Sequence, residues 1–299
     1  MKSYDVVILG AGAAGLMCAI EAGKRGRSVL VLERNPEVAQ KIRISGGGRC
    51  NFTNLDVKPT NYISNNPRFC ISALRRYPPS EFIDMVKAHG IEYYEKTRGQ
   101  LFCKNSSRQI IDMLVDECRK AGAEILTSMN IERLAFIGRN FEVFTGELSY
   151  TAQSLVIATG GPSIPKMGAT GFGYAVARQF GLKVVEPCAA LVPFTFTSAK
   201  LSQLKDLAGV SANVSVRCGK TNFSEALLFT HRGLSGPAIL QISSYWTPGE
   251  PIEVDFAPGI ALYDLLVTAR TKSPGKLAHN ILGEILPNRL ARFLCNQAG

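Results

Sequence analysis

The chain contains no Cys-x-x-Cys pair, although eight cysteines stand at positions 18, 50, 70, 103, 118, 188, 218 and 295. Its three histidines do not fall at metal-ligand spacing with any of them. The first absence excludes a dithiol of the kind that exchanges electrons with a flavin in disulfide reductases, since two thiols must meet for that exchange. The second leaves no set of metal ligands. Scattered, unpaired thiols read as reduced and intracellular. Long apolar runs are missing as well. The longest uncharged stretch near the N-terminus, residues 6–20, is too short for a bilayer and is broken by Gly10 to Gly15. Asp5 before it and Glu21 after it do not fit a signal peptide. A soluble, cytoplasmic protein with no membrane partner is the expectation. With Trp246 as the sole tryptophan, no aromatic cage can be proposed.

Acidic residues are scarce beside basic ones, 24 against 34, giving a net charge of +10. The basic residues nevertheless form no block of five or six, so the pattern is read against a nucleic-acid partner and in favour of a small anionic ligand. The 46% hydrophobic and 19% charged content is globular rather than disordered. At 299 residues the chain exceeds the usual length of one domain.

What is present begins with strand, helix, strand. Residues 4–9 form a short apolar run rich in β-branched residues, residues 13–25 place Ala14, Met17, Cys18 and Ala22 at helical spacing, and a second apolar run, 28–32, ends at Glu33. A polar, glycine-rich segment follows over 41–66. Helices are expected near 79–89 and 107–121, then short strands at 124–126, 131–136, 141–145 and 155–158 with Gly138 and Gly146 in the turns between. From about 190 strand-like segments at 191–197, 210–217 and 226–229 give way to helical patterns over 261–270, 276–286 and 288–296. The expected domains are a Rossmann-like unit over 1–190 and an inserted β-rich and helical unit on the substrate side over 191–299.

Three motifs carry chemistry. Gly10-Ala11-Gly12-Ala13-Ala14-Gly15 follows the first strand and opens the first helix. In that setting Gly10 allows a tight turn, Gly12 lets the backbone approach a pyrophosphate, and Gly15 permits close helix-on-strand packing. Free amides at the helix start favour the phosphate charge. Glu33, at the tip of the second strand, is placed to accept hydrogen bonds from both ribose hydroxyls and to repel a 2′-phosphate. The second motif, Leu155-Val156-Ile157-Ala158-Thr159-Gly160-Gly161, is an apolar strand ending in Ala-Thr-Gly, similar to the exit strand of two-dinucleotide-binding-domain flavoproteins. At its distance from the first it moves the expected cofactor from NAD to FAD. The third is Lys41-Ile42-Arg43-Ile44-Ser45-Gly46-Gly47-Gly48-Arg49-Cys50-Asn51, followed by Asn54. Its glycines let amides come close to a ligand, Lys41, Arg43 and Arg49 offer charge, and Asn51 offers an amide. A flexible basic loop is the plainer alternative.

The run 41–54 resembles the motif of the BaiN-like or aminoacetone oxidase family of FAD-binding, NAD(P)/FAD-dependent oxidoreductases. The stretches Phe229-Thr230-His231-Arg232-Gly233-Leu234-Ser235-Gly236-Pro237-Ala238 and Ala190-Leu191-Val192-Pro193 resemble that family too. The resemblance implies an α/β FAD domain with inserted regions and an oxidoreductase activity. One member in bile-acid-converting bacteria is associated with steroid reduction, and most members have no assigned substrate. It further implies that Gly10, Gly12, Ala14, Gly15, Glu33 and Arg34, then Lys41, Ser45, Gly47, Gly48, Arg49 and Asn51, line the cofactor, and that the backbone of Ile131 meets the adenine. Two departures stand out: Phe172 replaces the usual Asp in Gly168-Ala169-Thr170-Gly171-Phe172-Gly173, and the C-terminal return to the FAD domain is not matched before the end at Asn296-Gln297-Ala298-Gly299.

The expected function is therefore an FAD-dependent oxidoreductase that passes hydride between a reduced nicotinamide or organic substrate and flavin, acting on a small molecule. The alternatives are an FAD-dependent tRNA-modifying enzyme and a non-catalytic remnant that holds FAD poorly. No catalytic residue is assigned. His231, beside a glycine turn, is a candidate proton donor, with the satisfaction of backbone carbonyls as the bland alternative. Cys50 is either activated by Arg49 or a buried structural thiol. His89 and His279 read as surface or satisfied residues, and Tyr93, Tyr94 and Phe102 as a strand-face cluster or a pocket wall.

Overall fold

The structure is a computed structural model that describes residues 2–146 and 148–298. Met1 and Gly299, the ends of the two expected domains, lie outside the described residues. The chain divides into two compact units, Met1–Val185 and Glu186–Gly299.

In the first unit the elements run β1 (Lys2–Leu9), α1 (Ala13–Lys24), β2 (Val29–Leu32), α2 (Gln40–Gly48), β3 (Asn51–Asn54), α3 (Ile71–Arg76), α4 (Pro79–Ala88), β4 (Tyr93–Glu95) and β5 (Gln100–Cys103). They continue with α5 (Arg108–Lys120), β6 (Glu124–Leu126), β7 (Arg133–Ile137), β8 (Asn140–Thr145), β9 (Leu148–Ile157) and α6 (Phe172–Gln179). The main sheet has the order β6-β2-β1-β9-β8-β7, with β6, β2, β1 and β9 parallel. Strands buried on both faces read as continuous apolar runs, and β2, Val-Leu-Val-Leu, is buried throughout. Alternate side chains of the same strands feed two cores. Ile8, Val29 and Val31 pack with Leu16 and Ile20 of α1 and Ile110 and Leu114 of α5, whereas Val7, Leu9, Leu30 and Leu32 join Val143, Tyr150 and Val176 on the other face.

The three strands read between 131 and 158 form the antiparallel meander β7-β8-β9, and the last is longer than its apolar tip suggested, because Leu148–Ala152 pairs with β8 while Tyr150–Ile157 pairs with β1 on the other side. The polar, glycine-rich segment 41–66 begins with a helix, then turns left-handed at Gly46 and Gly47, and supplies β3 to a small sheet β3-β5-β4. There Tyr94 stacks on Phe102 and Phe52 meets Tyr93 edge-on, so these aromatics form a strand-face cluster.

Helices α1 and α5 are joined at their polar edge by a charge network. Lys24 Nζ lies 3.8 Å from Glu117, His89 Nε2 lies 3.0 Å from Glu117 Oε1, and Lys120 Nζ lies 2.9 Å from both Asp116 and Glu117. The hydrogen bond from Lys120 leads in holding the Glu117 carboxyl below its ordinary range, aided by His89 and opposed by burial. A carboxyl lowered in the folded state stabilises above the unfolded glutamate pKa, and that contribution is lost as pH falls through the folded value. Glu117→Gln should therefore lower stability near neutrality by about 1 kcal/mol. The difference from the parent should vanish in urea melts at acid pH; a pH-independent difference would remove the charge network as its cause.

The second unit holds β10 (Phe194–Thr195), α7 (Ser198–Leu204), β11 (Ser211–Cys218), β12 (Thr221–Thr230), β13 (Gly233–Ser235), α8 (Pro237–Ile242), β14 (Glu253–Asp255), α9 (Leu262–Lys272), α10 (Ala278–Leu282) and α11 (Asn288–Ala298). Its antiparallel sheet has the order β10-β13-β12-β11-β14. Ala212, Val214, Val216 and Cys218 alternate inward from β11 onto Ile239, Ile242 and Leu290. The strand expected over 191–197 is only two residues long: Leu191 has φ +55°, and Leu191 and Val192 donate their N–H groups to Ser244 Oγ and Ser243 Oγ instead of to a strand.

Candidate functional site: a dinucleotide-type cavity

The chain leaves β1 through Gly10, whose φ of +104° suits glycine and whose position would put a Cβ 2.6 Å from the Ala158 carbonyl oxygen. Gly15 is under the same pressure from the helix side, since a Cβ there would lie 1.8 Å from the Gly10 carbonyl oxygen. Gly12 is different. Its φ of −79° is open to any residue, and a Cβ would meet nothing within 4 Å. Gly12 is the N-cap of α1 and offers no side-chain cap, so the first amides of the helix point into open space.

Glu33 closes this turn. It is buried, and its Oε2 accepts the Ala11 N–H at 2.8 Å while Oε1 accepts the backbone and side-chain N–H groups of Asn35 at 2.8 and 2.9 Å. The backbone beyond β2 is held in turn, because Met129 donates to the Glu33 carbonyl at 2.8 Å and Ser128 to that of Asn35 at 3.0 Å. These bonds bring Met129, Asn130 and Ile131 to the same hollow.

The result is a cavity of about 530 Å³ at the carboxyl ends of β1, β2 and β9, within the range of small-molecule and cofactor sites. Its wall includes Gly10, Gly12, Ala13, Ala14, Glu33 and Arg34. It also includes Lys41, Ile131, Thr159 and Gly160, so these ten sequence-selected positions meet in one place. Lys41 bridges the far rim, its Nζ donating to Ser163 Oγ at 2.7 Å and to the Gly161 carbonyl at 3.3 Å. Thr159 Oγ1 is buried with no hydrogen-bond partner among the described residues, an arrangement that ordinarily costs free energy unless a ligand supplies the bond.

The remaining selected residues lie elsewhere. Gly15 serves packing behind the turn. Ser45, Gly46, Gly47, Gly48, Arg49 and Asn51 do not line the cavity. That loop is stitched to its neighbours: Ser107 donates to the Gly48 carbonyl at 2.7 Å and Cys103 to that of Arg49 at 2.9 Å, while the Asn51 amide faces the Leu101 and Thr53 carbonyls. Gly46 is required by the Phe102 ring, 2.7 Å from where a Cβ would sit. Cys50 is buried, and burial pushes its thiol up against a smaller opposing effect of Ser45, which makes it the structural thiol of the two alternatives. His231 is exposed at the β12–β13 turn of the second unit. The glycines beside it serve the backbone: at Gly233 (φ +147°) a Cβ would lie 2.1 Å from the Phe194 carbonyl oxygen.

Sequence reasoning missed Asn35 and Met167, whereas Gly168, Ala169 and Thr170 in the same wall belong to the run 168–173 that the sequence had already marked. Phe172, noted for replacing Asp, is in that wall. Asn35 could have been found as an amide two residues beyond a strand-end carboxylate. Met167 carried no such signal.

The HI0933-like protein Rossmann domain matches residues 4–249, most of the chain. The chain belongs to this family. The Rossmann domain of the HI0933-like protein is of the FAD-binding α/β type, as expected. The BaiN-like resemblance is thereby a relation to a neighbouring family. The HI0933-like chain is 47% identical over 295 residues to the ribosomal RNA dihydrouridine synthase of Escherichia coli (strain K12), covering 98% of this chain and 74% of that protein. It is 43% identical to the protein of the same name from Haemophilus influenzae, covering 99% and 75%. It is 27% identical over 301 residues to the 3-dehydro-bile acid delta(4,6)-reductase of Clostridium scindens, covering 95% and 72%.

The first two relatives overturn the reading against a nucleic-acid partner. The spacing of charges along a chain does not measure their spacing on a folded surface, so the absence of basic blocks excluded nothing. No helix of the described residues is long and apolar enough to cross a membrane.

Proposed function

We propose that this HI0933-like chain holds FAD in the cavity of its first unit and reduces uridine to dihydrouridine in ribosomal RNA. The single observation that carries the RNA assignment is the 47% identity, spread over 98% of the chain, to a protein named for that reaction. It favours the RNA-modifying alternative over a small-molecule oxidoreductase, and ribosomal over transfer RNA.

The cavity suits the cofactor on its own evidence: an uncapped helix start, an open Gly12 and an orphaned Thr159 hydroxyl. The Ala13 and Ala14 amides with Arg34 and Lys41 would hold the pyrophosphate. Glu33 already accepts three hydrogen bonds, so with about four acceptor sites on a carboxylate it has room for one ribose hydroxyl and not for both. The Ile131 backbone is assigned to the adenine, and the Thr159 hydroxyl to a polar atom of the cofactor.

When bound and reduced by a nicotinamide, FAD supplies the hydride. Reducing the C5=C6 bond of uracil places a hydride on C6, which is β to the C4 carbonyl, and a proton on C5. Full-length protein purified with a flavin absorbance band, incubated with unmodified ribosomal RNA and a reduced nicotinamide, should yield a nucleoside heavier by two hydrogens in mass spectrometry. Turnover of a steroid enone with the RNA unchanged would reassign the enzyme, and a protein that takes up no added FAD would end the proposal.

A further inference from the structure

A base can be reduced at C5=C6 only after it leaves its stack, so an enzyme of the proposed kind needs a surface that holds unstacked RNA. Residues 58–77 have the composition of such a surface. In twenty residues they contain Lys58, Arg68, Arg75 and Arg76 and no Asp or Glu, in a chain where basic and acidic residues otherwise stand at 30 to 24 (34 less these four). Lys58 pairs with Asp56 at 2.8 Å, whereas Arg68, Arg75 and Arg76 have no acidic partner among the described residues. Among these arginines Phe69 is 81% exposed, Tyr62 47% and Tyr77 37%. Ile63, at 54%, adds apolar surface. The segment is one folded piece: Tyr62 and Phe69 close turns onto the carbonyls of Pro59 and Asn66 at 3.1 Å each, and the Cys70 thiol reaches the Pro59 carbonyl at 3.9 Å. Beyond burial, Glu21 and Glu81 raise the Tyr77 phenol, and these carboxylates bound the basic surface at that end.

An aromatic ring four-fifths exposed among unpaired guanidinium groups is poorly explained by folding, which would bury the ring and pair the charge. It matches the combination that binds single strands, with rings for bases to stack on and cations for the phosphates between them. We infer that residues 62–77, with Phe69 at the centre, form the platform on which an unstacked segment of ribosomal RNA rests. This inference depends on the RNA reading above and adds where the RNA is held.

The test is fluorescence anisotropy of a labelled single-stranded oligoribonucleotide of ribosomal sequence against the full-length protein. Phe69→Ala should weaken binding by about five- to a hundredfold. The double variant Arg75→Ala with Arg76→Ala should reduce the slope of log affinity against log salt by about 1.4. Flavin absorbance should stay at parental level in both. Tyr263→Ala, at a ring 79% exposed in the second unit, should bind like the parent. If the parent binds the oligonucleotide and Phe69→Ala binds equally well, or if Tyr263→Ala loses as much, the platform is wrong while the RNA reading stands. An altered oligomeric state with unchanged RNA affinity would assign the surface to a second copy of the chain. A parent that binds no RNA ends both.

Discussion

Gly15→Ala should lower the stability of the first unit by about 3 kcal/mol or more, a fall in melting temperature of roughly 6–12 °C for a unit of this size. The added methyl carbon would lie 1.8 Å from the Gly10 carbonyl oxygen and 3.0 Å from its carbon. Both are backbone atoms of a turn that the Gly10 N–H to Leu32 carbonyl bond at 2.8 Å and the Ala11 N–H to Glu33 bond already fix. Relief requires α1 to lift off β1, which uncovers Leu16, Ala19 and Ile20, all fully buried. Thermal or urea unfolding reads the effect, and a variant that melts within about 1 °C of the parent would contradict the close approach of helix and turn.

Gly12→Ala should do the reverse, separating ligand binding from folding. Its methyl group meets nothing within 4 Å and its φ of −79° is ordinary for alanine. Stability should therefore stay within about 0.5 kcal/mol of the parent, a slightly poorer N-cap being offset by a stiffer unfolded chain. FAD affinity should fall by about tenfold or more, about 1.4 kcal/mol, because the methyl group takes the space through which a pyrophosphate reaches the helix amides. Flavin fluorescence titration of parent and variant measures this directly. Equal affinity would remove the phosphates from the head of α1. Taken with Gly15→Ala, the pair distinguishes a glycine kept for packing from one kept for a ligand, although the two sit three residues apart in one motif.

How much of the site was legible depends on how far apart its parts lie in the chain. The turn, the helix start and Glu33 were read correctly as neighbours because 4–33 is one local unit whose period changes from two to 3.6 and back. Lys41 and Thr159 were selected by motif, yet what they do is set by partners far along the chain: Lys41 bonds Ser163, 122 residues away, and the Thr159 hydroxyl is orphaned by packing around it. The loop 45–51 was less legible, because three glycines signal left-handed backbone without saying what it is for. Here they carry the chain past Phe102 into β3, and not to the cavity.

By itself the sequence determined the first βαβ unit and the chemistry available at each position: the buried parallel strands, the glycine turn, the carboxylate at the strand tip and the scattered thiols. These follow from short-range sterics and from the alternation of apolar side chains, both of which act within a few residues. Tertiary structure alone decided which motifs share a cavity, that Glu33 spends most of its hydrogen-bonding capacity on the turn, and that Phe69 stands exposed among arginines. Those outcomes depend on residues brought together by burial of the two cores, and local sequence carries no information about which distant chain will arrive.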